Sequence, residues 1–231
     1  NKIPHLLFLS NLLVSKGVIV LLDALKILKD HGYSFVCDFV GGETAEIDAG
    51  RFKDEVEKRG LNRLVIYDGK KYGEDKEQYF NNADVFVFPT YYSNETFGLV
   101  NLEAMEHKVP VISTNEGGIP DVVKDGQNGL IAEKGNSHSL AESIAELLDD
   151  KQLREKMGED GYKKFKENFT LQAFENKFKD CITDALQTGG VIANIAFYWG
   201  KKYGADKEAF FKNTDIFVFP TYYPNECFPL V

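Results

Sequence analysis

The sequence predicts an α/β protein: a doubly wound parallel sheet covered by helices on both faces, followed by a helical segment and an extra β-α-β tail. Three observations carry that expectation. Short apolar runs alternate with amphipathic stretches from the first residues onward. The runs are apolar nearly throughout, such as VFVFPT at 85–90, instead of alternating with polar residues. The pattern turns wholly helical from Ser137 to about Gln187. A strand with one wet face reads as a period of two, so continuous apolar runs imply cover on both faces, and hence parallel strands joined by helices.

Taken in order, LLFLS (6–10) is the first strand, and GVIVLLDALKILKDHG (17–32) follows it as a helix. There Val18, Leu21, Leu22, Leu25 and Leu28 recur at helical spacing and predict one buried face. The remaining strands are SFVCDFVGG (34–42), LVIYDG (64–69), VFVFPT (85–90), VPVISTN (109–115) and GLIAE (129–133). Helices are expected near 48–60, 74–82, 97–107 and 118–125, with His107 closing the third of these, where a partial positive charge is favourable. From Ser137 to about Gln187 the pattern is helical throughout, with Asp149 and Asp150 at one junction and Thr170 as N-cap of the last helix.

After TGG (188–190) the sequence repeats itself. Residues 67–100 and 198–231 share 24 of 34 positions without a gap, at an offset of 131. The expected organisation is therefore a domain over 1–187 and a partial duplicate, 188–231, that is not an independent domain. NIAFYW and DIFVFPT would be its strands and ADKEAFFKN its helix. About 40 residues rarely hold a core alone. The tail is expected to pack on an edge of its own sheet, on the surface of an adjoining domain, or on a second copy as a homodimer.

Composition bounds the function. With 36 acidic against 27 basic residues the formal net charge is -9, which opposes general attraction to nucleic acid or anionic lipid. Cys37, Cys181 and Cys227 lie far apart without metal-like spacing and leave one thiol unpaired in any disulfide scheme, so a reducing, cytoplasmic setting is expected. No apolar run approaches the roughly 20 residues of a membrane span, so membrane contact is expected only through parts outside this sequence. The four histidines are scattered, and no metal is expected.

The chemistry concentrates in TYYSNETFGLVNLEAM. Glu95 follows a strand and should sit at the carboxyl end of the sheet, where folds of this class bind ligands. Glu103 comes two turns into the next helix. The helix start offers free N–H groups to an anion, and Gly98 permits close approach. Spacing alone leaves a plainer alternative open: Glu95 as a first-turn partner of the helix dipole and Glu103 as a solvated face. Lys16 and Gly17 precede the first long helix, Tyr67 and Asp68 stand in the loop IYDGKKYG, and Gly117, Gly118 and Pro120 form either a structural turn or a second close approach.

The run from FVFPTYYSNETFGLVNLEAM through HKVPVISTNEGGIPDVVKDGQNGLIAEKGN resembles the donor-binding half of the retaining glycosyltransferases of family four, which have the GT-B fold of two Rossmann-like domains. The combination, over residues 6 to about 187, includes Glu, seven residues, Glu; then EAM, PVI, GG with a proline and an acidic residue, and NGL. The resemblance implies transfer of a sugar from a nucleotide diphosphate donor to a hydroxyl with retention, without a cofactor. It implies Glu95 as the catalytic-site carboxylate touching the donor sugar and Glu103 on the ribose hydroxyls. Phe97, Gly98 and Leu99 would lie along the diphosphate, Tyr67 and Asp68 beside the base. A basic pair of the family corresponds to SNLLVSKG: Lys16 and Gly17 match, while Asn11 holds the arginine position; for Lys70 and Lys71 a solvated loop is the plainer role and compensation for the missing charge the alternative. An acceptor domain, implied as partner, is absent from this sequence, so the chain alone is expected not to turn over. The tail should not be a second donor site, because Gly98 becomes Pro229 and the sequence ends before any counterpart of Glu103. Two alternatives remain: another GT-B enzyme, such as a phosphorylase or sugar-nucleotide epimerase, or a non-catalytic nucleotide-binding or assembly protein.

Overall fold

The structure, a computed structural model, describes residues 3–187. Its centre is one sheet of six parallel strands in the order β3-β2-β1-β4-β5-β6. They are β1 His5–Leu9, β2 Val36–Val40, β3 Val65–Tyr67, β4 Val85–Val87, β5 Val111–Thr114 and β6 Gly129–Ala132. Every neighbouring pair is parallel, with Leu6 opposite Cys37 and Val85, and Ile112 opposite Val87 and Leu130. The doubly wound expectation holds, with each expected strand present between residues 5 and 132.

The helices are α1 Val18–Asp30, α2 Ala49–Lys58, α3 Gly73–Asn82, α4 Leu99–Glu106, α5 Ile119–Val122, α6 Ser137–Asp149, α7 Lys151–Asn168 and α8 Leu171–Gln187. Two cores explain the continuous apolar strands. Leu6, Phe8, Cys37, Phe39, Val85, Val87 and Ile112 face one side, where α1, α2 and α6 pack through Leu21, Leu25, Phe52 and Ile144. Leu7, Val40, Phe86, Phe88 and Val111 face the other, under Phe80 of α3, Met105 of α4 and Ile119 of α5. Helix α7 serves both, with Met157 in the first core and Phe165 against the second. The α1 face named above is buried at all five positions.

The expected ends shift where side chains take over from the ladder. β4 stops at Val87 because Pro89 has no N–H, and the Phe88 and Thr90 carbonyls accept instead from Ser113 Oγ (2.8 Å) and Thr114 Oγ1. α5 is only four residues, since the Lys124 N–H donates to Asn128 Oδ1 at 2.7 Å and the chain turns into β6. Asp150 caps α7 by accepting from Leu153 N–H at 2.9 Å. One compact unit ends at Phe169 and a second begins at Thr170. In the latter, Thr170 Oγ1 accepts from Ala173 N–H at 3.2 Å, and the Phe174 and Phe178 rings of α8 stack 5.9 Å apart. The expected strands NIAFYW and DIFVFPT, the helix ADKEAFFKN and the homodimer through them lie outside the described residues. Among those described, no helix is long and apolar enough to cross a membrane.

Candidate functional site

An open parallel sheet binds ligands outside the carboxyl ends of its strands, where the strand order reverses. Here that point lies between β1 and β4. After β1 the chain tightens into a 3-10 turn, Val14–Lys16, and Gly17 at φ 87° opens α1 without a side-chain cap. A Cβ on Gly17 would stand 2.2 Å from the Pro89 carbonyl oxygen, so the loops after β1 and β4 meet through an approach only glycine permits. Tyr91 N–H donates to the Ser15 carbonyl at 2.8 Å and binds them together.

This contact joins Lys16 and Glu95. Lys16 Nζ is 2.6 Å from Glu95 Oε2, and their side chains are 16% and 10% exposed. The ammonium also lies over the Tyr92 ring, 4.5 Å from its centroid, and 5.6 Å from that of Phe88. From the far side the loop after β5 presses on Glu95. Gly118 N–H donates to the Thr96 carbonyl, and a Cβ on Gly117 would come 2.1 Å from the Glu95 carbonyl oxygen. Two loops thus hold Glu95 in place. The turn at Gly117 and Gly118 has a structural task, supporting that carboxylate's backbone.

Helix α4 begins beside it. Gly98 at φ 63° is its N-cap, and no side chain caps the end. Asn101 Nδ2 donates to the Phe97 carbonyl at 3.0 Å, Phe97 packs against the second core, and Leu99 is half exposed. Uncapped first-turn N–H groups, at the start of both α1 and α4, need acceptors from solvent or ligand. Farther along α4, Glu103 Oε1 accepts from Lys76 Nζ at 2.7 Å, while Oε2 is buried without a hydrogen-bond partner. His107 ends α4, with Nδ1 2.8 Å from the Glu103 carbonyl and its ring stacked on Phe80.

Asn11 stands at the end of β1, where its Oδ1 accepts from Gly42 N–H at 3.2 Å. A Cβ on Gly42 would lie 2.9 Å from that oxygen and 3.1 Å from Lys70 Nζ. The Lys70 ammonium therefore hangs beside Asn11. Lys71 lies apart, in a shallow recess of about 350 Å³ with Asp75, Gln78, Tyr79 and Asn82. Tyr67 and Asp68 belong to the β3 edge, two strands from β1. The Tyr67 ring packs 5.3 Å from Phe52 and its hydroxyl donates to the Gly41 carbonyl at 3.0 Å. Burial, and then the Glu43 carboxylate, raise its pKa. Asp68 meets the Tyr79 hydroxyl, and burial followed by that contact pushes Tyr79 up to about 12. Both side chains are engaged by neighbouring elements.

The structure brings Lys16, Gly17, Glu95, Phe97, Gly98 and Leu99 to the switch point, with Glu103 farther along α4. Sequence reasoning missed Lys76, whose partner is 27 residues away on another helix. It also missed Tyr92 beneath Lys16. The only signal for Lys76 was its retention as Lys207 in the repeat. Among the described residues no three His, Cys, Asp or Glu side chains gather as a metal-ligand set.

Residues 1–164 match the family model described as glycosyl transferases group 1. The capsular polysaccharide biosynthesis glycosyltransferase CapM of Staphylococcus aureus is 33% identical over 165 residues, 71% of this chain and 42% of that protein. The chain spans less than half the length of the curated relatives it matches. Among solved structures, the C-terminal domain of the group 1 glycosyl transferase LpcC from Francisella tularensis superposes with a TM-score of 0.65 at 25% identity. It covers 74% of this chain and 90% of that one. HepE from Anabaena in complex with UDP-glucose gives 0.70 at 22% identity, over 79% of this chain and 49% of that one, a likeness of fold. The shared fold is a Rossmann-like half of the GT-B type.

Proposed function

This chain belongs to the glycosyl transferases group 1 family, and from that premise we propose that it forms the nucleotide-sugar donor-binding half of a retaining glycosyltransferase of family four. The observation that carries the reading is the Lys16–Glu95 pair at the switch point, flanked by the uncapped starts of α1 and α4. A cation and two helix N-termini facing one crevice are suited to a diphosphate. A carboxylate beside them is suited to sugar hydroxyls.

In this reading the diphosphate lies along Phe97, Gly98 and Leu99 and takes Lys16 as its counterion, so that Glu95 is released to accept from the donor sugar. Charge growing on the leaving diphosphate is stabilised by Lys16 and by the two helix starts, which need little reorganisation during the reaction. Asn11 brings no charge; Lys70 beside it supplies the second positive group, and Lys71 does not. Glu103 accepts from the ribose, and the loop holding Tyr67 and Asp68 borders the base. The acceptor wall and the turnover it permits belong to a domain outside this sequence, as the greater length of the relatives supports. The chain alone binds donor without transferring sugar, and needs no metal. A second reading, nucleotide binding without transfer, is favoured by one feature, the uncharged Asn11.

Calorimetry with UDP, GDP and ADP tests the pocket directly. One of the three should bind, and Lys16→Met should weaken it about tenfold or more, as expected for a charge-assisted contact. Glu95→Gln should matter chiefly when the sugar is attached. If no nucleoside diphosphate binds, or if Lys16→Met binds equally well, the donor-site reading is wrong.

A further inference from the structure

Lys16 meets more than a carboxylate. Its ammonium stands 2.6 Å from Glu95 Oε2, 4.5 Å from the centroid of the Tyr92 ring and 5.6 Å from that of Phe88. The partners differ in kind. A carboxylate neutralises an ammonium, whereas a ring face attracts it through the ring quadrupole and leaves its charge whole. An ammonium also has three donors, and Glu95 takes one of them. The Tyr92 ring is set in place by its own backbone. Tyr92 N–H donates to Oγ1 of the buried Thr90 at 3.2 Å, and the Tyr92 carbonyl accepts from Glu95 N–H at 2.8 Å. One turn, 92–95, therefore carries both the ring and the carboxylate that meet Lys16. Tyr91 N–H, donating to the Ser15 carbonyl, fixes this turn against the residue that precedes the lysine. Among the described residues Tyr92 packs in neither apolar core, so the ring is not there to fill the fold.

We propose that Tyr92 is a positioning residue for the diphosphate: its ring holds the Lys16 ammonium at the switch point once the Glu95 carboxylate turns to the donor sugar. The proposal rests on the donor-site reading above and adds a residue to it. A lysine released by its carboxylate regains the freedom of a long flexible stem, and a ligand must then bear the cost of ordering it again. The ring removes that freedom beforehand. Being uncharged, it does not compete with an anion for the ammonium, and the lysine keeps its full charge for the phosphates. The effect of Tyr92 on a ligand therefore runs through Lys16, and it disappears when the lysine does.

The test uses the full chain and calorimetry with the tightest binder among UDP, GDP and ADP, in wild type, Tyr92→Leu, Lys16→Met and the double variant. Tyr92→Leu should weaken binding about fivefold, the size of a partly desolvated cation–π contact. Tyr92→Phe keeps the ring and should stay within about twofold of wild type. In the Lys16→Met background, Tyr92→Leu should change affinity by less than about twofold, since the ring then has no ammonium to hold. Thermal unfolding of each variant controls for folding; should Tyr92→Leu fail to fold, Tyr92→Met carries the comparison with the same expected outcomes. Equal weakening by Tyr92→Leu in both backgrounds, or wild-type affinity in Tyr92→Leu, overturns the positioning role. So does a Tyr92→Phe variant as weak as Tyr92→Leu, which would put the effect in the hydroxyl. Lys16→Met separates the two levels. If no nucleoside diphosphate binds, or Lys16→Met binds as well as wild type, the donor-site reading fails and the role of Tyr92 with it. If Lys16→Met weakens binding while the effect of Tyr92→Leu simply adds to it, the donor-site reading stands and the positioning role alone falls.

Discussion

Lys16 and Glu95 are 79 residues apart in the chain and 2.6 Å apart in space. Two largely buried charges gain little net stability from each other, because desolvation offsets much of the attraction, but removing one strands the other. That asymmetry suits a ligand site, since the pair can be held ready in one arrangement and exchanged for a diphosphate and a sugar hydroxyl. A contrasting ion pair serves structure. Glu55 accepts from Lys58 at 2.8 Å and from Arg59 at 2.6 Å, and Arg59 reaches on to Asp23 at 2.7 Å, tying α2 to α1. The Lys58 bond, followed by that of Arg59, lowers the Glu55 pKa from 4.5 to about 2. A depressed carboxylate pKa gives stability that is present above the unfolded value and lost as pH falls toward the folded one. Glu55→Gln should therefore cost about 1 kcal/mol at pH 7 in urea unfolding, with the difference from wild type shrinking below the unfolded value of 4.5 and lost as pH falls through about 2. An unchanged gap at both pH values would assign the effect to packing instead.

At the scale of elements, the decisive feature is how α1 begins. Leu21 and Leu25 commit this helix to the first core, but its start is set by Gly17, in the left-handed region and pressed on Pro89. Gly17→Ala should cost about 2 kcal/mol or more, since the new methyl meets backbone oxygen and the φ is strained. The same change should weaken nucleoside diphosphate binding, because Lys16 and the first N–H groups of α1 shift together. Chemical unfolding and calorimetry on one sample measure both. A stable variant with unaltered binding would mean that the β1 and β4 loops can part without disturbing the site. Elements like α1 were legible because five leucines and valines at helical spacing state a buried face outright. The true end of β4 was not, since it depends on Ser113 and Thr114 hydroxyls arriving from another strand.

For the whole molecule, the six strands and α1 to α7 make a complete two-faced unit ending at Phe169, and every assigned site residue falls inside it. The repeated residues 198–231 lie beyond that unit in sequence. We expect truncation after Gln187 to leave nucleoside diphosphate affinity within about twofold, because every residue assigned to the site lies before Phe169 in the chain. Solubility or oligomeric state, read by light scattering, should change instead, because two apolar runs of sequence, NIAFYW and DIFVFPT, would be removed. Loss of nucleotide binding in a truncated protein that still folds would place the repeat in the site.

By itself the amino-acid sequence determined the layering of this protein. Near-continuous apolar runs demanded a sheet covered twice, and periodic leucines supplied the cover, because burial of apolar surface is local in its signal even when its partners are distant. It also brought Glu95, Glu103, Gly98 and Lys16 to notice, since a motif reads along the chain. Only the tertiary structure decided what each of them touches. That Lys16 meets Glu95, that Lys76 takes one oxygen of Glu103 and leaves the other bare, and that Lys70 rather than Lys71 stands beside Asn11 all follow from where the loops after β1, β2, β3 and β4 converge. Contacts between charged groups depend on distances of a few ångströms between segments tens of residues apart. No local pattern encodes such a distance; the crossing of the strands and the backbone approach at Gly17 set it.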